Sequence, residues 1–307
     1  FGNMSILRVE ADTGTTTTVA GPFGGIGGLA VLSNGDLIIS ETHTPGPDAT
    51  TTDTLIRARD LNADGDFLDP GELTELIAPI LTDSNFTGAQ LAVAPAGDPS
   101  GIPTGSLLVQ TADGFTDSEL LVVVNPESDS PAFRPAGGAY FSGFQYNGGF
   151  GFAPGGEIIH GESELDLFTF LSQGRIRALV NTNGDEDIDP DESHVIVDHE
   201  DLQAGLTDLT VSGNGMVFFG EGSGLVRFFA LPADLLQGNA TPEVFAETNA
   251  FYMSVVRLDR TGAPFGGIGA EGKLYLGGYV ENFAQSTNLA VIEPAAVSGV
   301  ADWAVYE

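Results

Sequence analysis

The stretch from Asp60 to Glu72 reads DLNADGDFLDPGE and places oxygen-bearing side chains at alternate positions. Counted from Asp60, the series runs Asp60, Asn62 and Asp64 at 1, 3 and 5, then Gly65 at 6, Asp66 at 7 and the apolar Phe67 at 8. In a tightly wound loop such side chains converge on one point, glycine permits the sharp turn, and a main-chain carbonyl at position 7 adds to the shell. A shell of roughly six to eight hard oxygens suits Ca2+. Position 12 is Gly71 and the acid follows one residue late, so Asp69 and Glu72, together or singly, are expected to complete the shell.

A second stretch, NTNGDEDIDPDE, repeats the pattern with Asn181, Asn183, Asp185, Asp187, Asp189 and Glu192 at positions 1, 3, 5, 7, 9 and 12 and Ile188 at 8. Glu186 stands where glycine is expected and Asn181 is neutral, so looser binding is expected here than at the first loop. Both stretches resemble the calcium loops of EF-hand and dockerin-type proteins, which implies two Ca2+ sites. Strands rather than helices flank them, which favours clamping of outer strands over a helix-opening switch. The plainer alternative is a pair of solvated acidic turns.

Forty-three acidic residues stand against 10 basic ones, for a net charge of −33, and Lys273 is the only lysine. Such a field repels phosphate backbones and anionic membranes and so argues against nucleic-acid partners. Most of the excess is expected on a solvated surface suited to saline water, with the calcium loops taking a part. No run reaches the roughly 18 to 20 apolar residues of a membrane-spanning helix. Cysteine is absent, which removes disulfides and thiolate metal sites. The chain starts at Phe1 without a basic-then-apolar leader, and the expectation is an exported protein, extracellular or at the cell surface, with the periplasm as an alternative.

The loops need strands to hold them, and the sequence repeats a two-strand unit five times. GGLAVLSNGDLIIS, QLAVAPAGDPSGIPTGSLLVQ, GGFGFAPGGEIIHG, TDLTVSGNGMVFFG and MSVVRLDRTGAPFGGIGAEGKLYLGG each join two apolar runs through a turn. Asn34-Gly35, Gly155-Gly156 and Asn214-Gly215 suit tight hairpins because they tolerate positive φ. Leu29, Leu91, Gly151, Leu209 and Val255 are equivalent positions spaced 62, 60, 58 and 46 residues apart, room for one four-stranded sheet per repeat. Further strand pairs follow the hairpins, such as TLIRARD with ELTELIAPI and RIRALVN with SHVIVDH.

Four antiparallel strands repeated radially predict an all-β fold, a β-propeller formed by residues 1–307 as a single domain. Six blades are expected, with five as the runner-up and a sandwich or solenoid as a minor alternative. SILRVEADTGTTTTVAGP and LAVIEPAAVSGVADWAVYE are expected to close the ring as a composite blade. The hairpin consensus, seen in Gly28-Leu29-Ala30-Val31 through Asn34-Gly35-Asp36-Leu37-Ile38-Ile39-Ser40, resembles the inner strands of NHL-type and gluconolactonase-type propellers.

In that geometry the residues leaving each second strand gather on one face: Glu41 and His43, Asp113, His160 and Glu162, Glu221, then Glu281 and Asn282. Such a ring could hold a further divalent ion at a central channel, with His160 as an added ligand or general base. Propeller lactonases and phosphatases use acidic channel mouths, so the resemblance makes a metal-dependent hydrolase the enzymatic alternative, and Glu162 with Glu221 would be the pair for a glycosidase. His194 and His199 are expected on a blade surface. PFGGIGG at Pro22 and PFGGIG at Pro264 are read as turns, and sequons stand at Asn3, Asn85 and Asn239. The leading reading is a calcium-binding module for protein or carbohydrate ligands rather than an enzyme.

Overall fold

The computed structural model describes residues 4–10, 13, 15–41, 54–77, 90–95, 102–113, 117–135, 146–165, 172–185, 188–198, 205–222, 224–247, 252–258, 274–281, 285–293 and 302–306. These form five four-stranded antiparallel sheets and one separate two-stranded hairpin. Apart from the 3-10 turn Pro190–Glu192, the regular structure is all strand. No helix among the described residues is long and apolar enough to cross a membrane.

The chain divides into two compact units. The first holds the hairpin β1 (Met4–Val9) and β2 (Thr16–Phe23), the sheet β3 (Ile26–Val31), β4 (Leu37–Glu41), β5 (Thr54–Ala58) and β6 (Leu73–Ile77), and the sheet β7 (Gln90–Val93), β8 (Leu107–Asp113), β9 (Asp117–Val124) and β10 (Ala132–Pro135). The second holds β11 (Tyr146–Phe152), β12 (Ile158–Leu165), β13 (Ser172–Leu179) and β14 (Ser193–Val197), then β15 (Leu206–Val211), β16 (Met216–Glu221), β17 (Leu225–Ala230) and β18 (Glu243–Glu247), then β19 (Tyr252–Leu258), β20 (Leu274–Glu281), β21 (Gln285–Glu293) and β22 (Asp302–Tyr306). Every four-stranded sheet pairs its strands in chain order, and all five repeated hairpins form its first two strands.

One hydrogen-bond pattern closes three of these hairpins. Leu32 N–H donates to Asp36 and Gly35 N–H to Leu32; Ala153 with Glu157 and Gly156, and Ser212 with Met216 and Gly215, do the same. Only the second turn residue takes positive φ, at Gly35 (91°), Gly156 (100°) and Gly215 (80°), so one left-handed residue per turn suffices. The PFGGIGG segment carries the chain from β2 into β3, while its copy at Pro264 lies outside the described residues.

Within the second unit β11, β15 and β19 lie side by side, as β3 and β7 do in the first. Alternation then buries one face of sheet β11–β14 against β15–β18, and one face of β3–β6 against β7–β10. Ile159, Ile176 and Ala178 meet Leu206, Leu209, Val211, Val217, Phe219 and Phe229. In the first unit Ala30, Leu32, Ile38 and Leu55 meet Leu91, Leu107, Val109, Leu121 and Val123. Arg57 of β5 ties these two sheets by donating to the carbonyls of Glu127 and Ser128 and to Asp129. The outer edge of β14 is covered by the loop after β17: Ala240 N–H donates to the Ile196 carbonyl (2.8 Å), and His194 Nε2 lies 3.0 Å from the Gly238 carbonyl.

Two expectations fail. Among the described residues there are not six four-stranded sheets, and the two termini do not share one. The N-terminal stretch pairs with itself as β1–β2, and the C-terminal stretch supplies β21 and β22, which pair with each other on β20. Loop closure favours this pairing: joining β21 to β22 closes far fewer residues than joining opposite ends of the chain.

Candidate functional site

The two acidic loops join the third and fourth strands of their sheets, β5 to β6 and β13 to β14. Antiparallel order puts them at the same end of the sheet as the first hairpin turn. The residues leaving the second strands are therefore at the opposite end.

The first loop is wound by its own side chains. Asp60 accepts N–H groups from Ala63 (2.6 Å), Asp64 (3.3 Å) and Gly65 (2.9 Å); Asn62 Oδ1 accepts Asp64, Asp64 Oδ1 accepts Asp66, and Asp66 Oδ1 accepts Leu68. The second oxygens then converge: Asn62 Nδ2 donates to Asp64 Oδ2 (2.9 Å) and Asp69 Oδ2 (2.6 Å). Glu72 is 1% exposed and accepts Leu61 N–H on Oε1 and Asp69 N–H on Oε2.

The second loop repeats the plan. Asn181 Oδ1 accepts Gly184 N–H, Asn183 Oδ1 accepts Asp185 N–H, and Asn183 Nδ2 donates to Asp185 Oδ2 (2.9 Å) and Asp189 Oδ2 (3.4 Å). Glu192, 2% exposed, accepts the N–H groups of Thr182 and Asn183 and the Thr182 hydroxyl on Oε1 and Asp189 N–H on Oε2. Asp187 and Glu186 lie outside the described residues.

The two loops match at their starts and at their ends, with one residue inserted between. Asp69-Pro70-Gly71-Glu72 and Asp189-Pro190-Asp191-Glu192 share one box, and Leu68 is the extra residue of the first. The repeated Asp-Pro-x-Glu is the sequence signal that gives Glu72 and Glu192 one role, with Leu68 accounting for the one-residue offset of Glu72. Among the described residues no group of three or more acidic or histidine side chains lies ready to grip an ion.

Two local consequences are testable. Ala63 sits at φ 61°, where the second loop has Gly184 at 77°. Ala63→Gly is expected to raise stability by about 1 kcal/mol by relieving a left-handed alanine, read as a higher denaturation midpoint. Burial pushes the Glu192 carboxyl up, but the donors from Asp189, Thr182 and Asn183 outweigh it and leave its pKa below the ordinary glutamate value. Its stabilisation is therefore present above the unfolded pKa and lost as pH falls through the lower folded one. Glu192→Gln turns an N–H pair towards these donors and is expected to cost about 1–3 kcal/mol, read by chemical denaturation at neutral pH.

The second-strand residues are arranged differently. Glu41 Oε1 accepts Gly24 N–H at 2.9 Å. His160 and Glu162 are each 1% exposed on β12, opposite Arg177 and Arg175 of β13, and both arginines pair with Glu162. Burial first, then the charges of Arg177 and Arg175, pull the His160 pKa down to about 3. At neutral pH it is an uncharged imidazole and a poor base. Glu221, 2% exposed, pairs with Arg227 at 2.5 Å.

Alternation puts Ile159 and Gly161 against β15, so Glu162 projects from the other face of sheet β11–β14. Glu221 shares the face of Val217 and Phe219, between the two sheets. The structure thus does not bring Glu162 and Glu221 together. Asp113 and Glu281 end β8 and β20, while His43, Asn282 and His199 lie outside the described residues. His194, expected on a blade surface, is half-buried instead, because the loop after β17 folds over it. Asn239 is exposed in that loop, and Asn3 and Asn85 lie outside the described residues. A crevice of about 420 Å³ lies at the turn end of the second unit, lined mainly by Pro154, Val180, Leu231 and Leu235 with Glu157 and Asp234.

No family model and no curated protein matches the sequence. Solved structures do. The β-propeller domain of Cps50 (Swd1) from Myceliophteria thermophila has a TM-score of 0.52 at 12% identity, over 99% of this chain and 81% of that one. An α-L-arabinanase from Penicillium chrysogenum, complexed with arabinobiose, has a TM-score of 0.50 at 13% identity, over 100% and 98%. A candidate gluconolactonase has a TM-score of 0.45 at 16% identity, over 86% and 75%. The first two establish the fold: the chain is an all-β, antiparallel β-propeller.

Proposed function

We propose that the chain is a calcium-binding propeller, a single domain that works as a binding or structural module outside the cell or at its surface. The supporting observation is one arrangement built twice. In each loop an asparagine amide nitrogen is held between two carboxylate oxygens, at 2.9 and 2.6 Å around Asn62 and at 2.9 and 3.4 Å around Asn183. A point that draws two carboxylates onto one donor suits a cation.

The donor chemistry fits Ca2+: Asp60, Asn62, Asp64, Asp66, Asp69 and Glu72 would hold one ion, and Asn181, Asn183, Asp185, Asp187, Asp189 and Glu192 a second. Glu72 and Glu192 also brace the loops through their main-chain donors. The ion would neutralise crowded carboxylates and fasten the outer strands. Support for this reading over the hydrolase comes from the second-strand end, where Glu162 and Glu221 are buried against arginines.

Equilibrium dialysis against millimolar Ca2+ tests it. The expectation is two ions per chain, one in Asp64→Ala, one in Asp185→Ala and none in the double variant. Wild-type protein that takes up no calcium would refute the proposal.

A further inference from the structure

The first loop reaches beyond its own sheet. Arg8 of β1 donates from Nη1 to the Gly65 carbonyl at 3.0 Å, and Phe67 N–H donates to the Val19 carbonyl of β2 at 2.7 Å. The Phe67 side chain packs on the cluster of Ile6, Val19, Ala20 and Phe23 from the hairpin with Ile39 and Ala58 from the sheet. The hairpin forms its own two-stranded sheet, with no ladder to β3–β6. A lone two-stranded hairpin is marginally stable in water. Its seat therefore depends on contacts such as these.

Those contacts depend in turn on how the loop is wound. Asp60 holds the Gly65 N–H, Asp64 holds the Asp66 N–H that shares a peptide plane with the Gly65 carbonyl, and Asp66 holds Leu68 N–H just beyond Phe67. Unwinding the loop would withdraw the acceptor for Arg8, the donor for Val19 and the Phe67 ring at once. We propose that the 60–72 loop is a clasp of the N-terminal hairpin, adding to the apolar packing of β1–β2 on sheet β3–β6 a hold that lasts only while the loop is wound. That calcium tightens the clasp rests on the function proposed above. The winding itself does not.

Hydrogen exchange of the full chain, followed by mass spectrometry over residues 4–9 and 16–23, tests this. Asp60→Ala is expected to speed hairpin exchange about tenfold or more while β15–β18 stays unchanged. Arg8→Met, at an exposed side chain, is expected to give a smaller acceleration in the same segments. Hairpin exchange that stays at the wild-type rate while residues 61–68 of Asp60→Ala exchange faster would overturn the clasp. If Asp60→Ala does not fold, unchanged exchange in Arg8→Met overturns it.

Millimolar Ca2+ is expected to slow hairpin exchange in the wild type and not in Asp60→Ala. Calcium without effect, where both variants respond, would retire the calcium reading of this loop and leave the clasp. Calcium binding without any response of the hairpin to either variant would retire the clasp alone.

Discussion

Gly161→Ala should be among the most destabilising single substitutions in the chain. A Cβ at this position of β12 would stand 2.1 Å from Leu206 Cδ2, 2.5 Å from the Gly148 carbonyl oxygen and 2.8 Å from its carbon. Leu206 is 3% exposed and could move only by disturbing the core between sheets β11–β14 and β15–β18. The Gly148 carbonyl belongs to the neighbouring strand and has nowhere to go. A loss of about 3 kcal/mol or more is expected, at the upper end for overpacking, and denaturant titration would show it. Gly148→Ala is the informative companion, because its three nearest obstacles all belong to the Leu206 side chain. Leu206→Ala removes Cγ and Cδ2 but keeps the Cβ 2.8 Å from the added Gly148 methyl, so it should relieve part of the Gly148→Ala penalty, whereas for Gly161→Ala it leaves both contacts with the Gly148 carbonyl in place. A Gly161→Ala protein that unfolds with the wild type would contradict this packing.

The second large effect is in acid. His160 has a folded pKa of about 3 against an ordinary value of 6.5. As pH falls below the ordinary value the unfolded chain takes up this proton first, so stability is full above about 6.5 and declines until about 3. One proton's worth of slope, about 1.4 kcal/mol per pH unit, is the most that His160 can add across this window. Carboxylates add their own slopes, so the test is a comparison. In His160→Gln the unfolding free energy should fall less steeply between those limits, and identical slopes would show that the imidazole is not held neutral by burial beside Arg175 and Arg177.

The sheets were legible because their constraints are local. Alternating apolar runs and a left-handed residue at Gly35, Gly156 and Gly215 act over a dozen residues, and the repeat of that unit implied the propeller. That β22 pairs with β21 and the N-terminal stretch with itself was not legible, because a choice between a near and a distant partner strand turns on loop length, which no residue type signals. At the loops, the converging oxygens of Asp64 and Asp69 could be read from spacing. The roles of Glu72 and Glu192 as braces could not, since they depend on which main-chain N–H groups the turn presents. The partners of Glu162 were hidden for a related reason. Arg175 faces it only through the register of β12 with β13, and register is invisible until both strands are placed.

The cover over β14 has a consequence for how copies of this chain behave in a crowd. An uncovered outermost strand offers a row of open main-chain groups, the template on which fibrils and swapped dimers grow. With the Ala240 amide already seated on Ile196, the sheet beneath has no vacancy there for an intruding strand. Shortening the segment between β17 and β18 would therefore threaten colloidal behaviour before it threatened the fold.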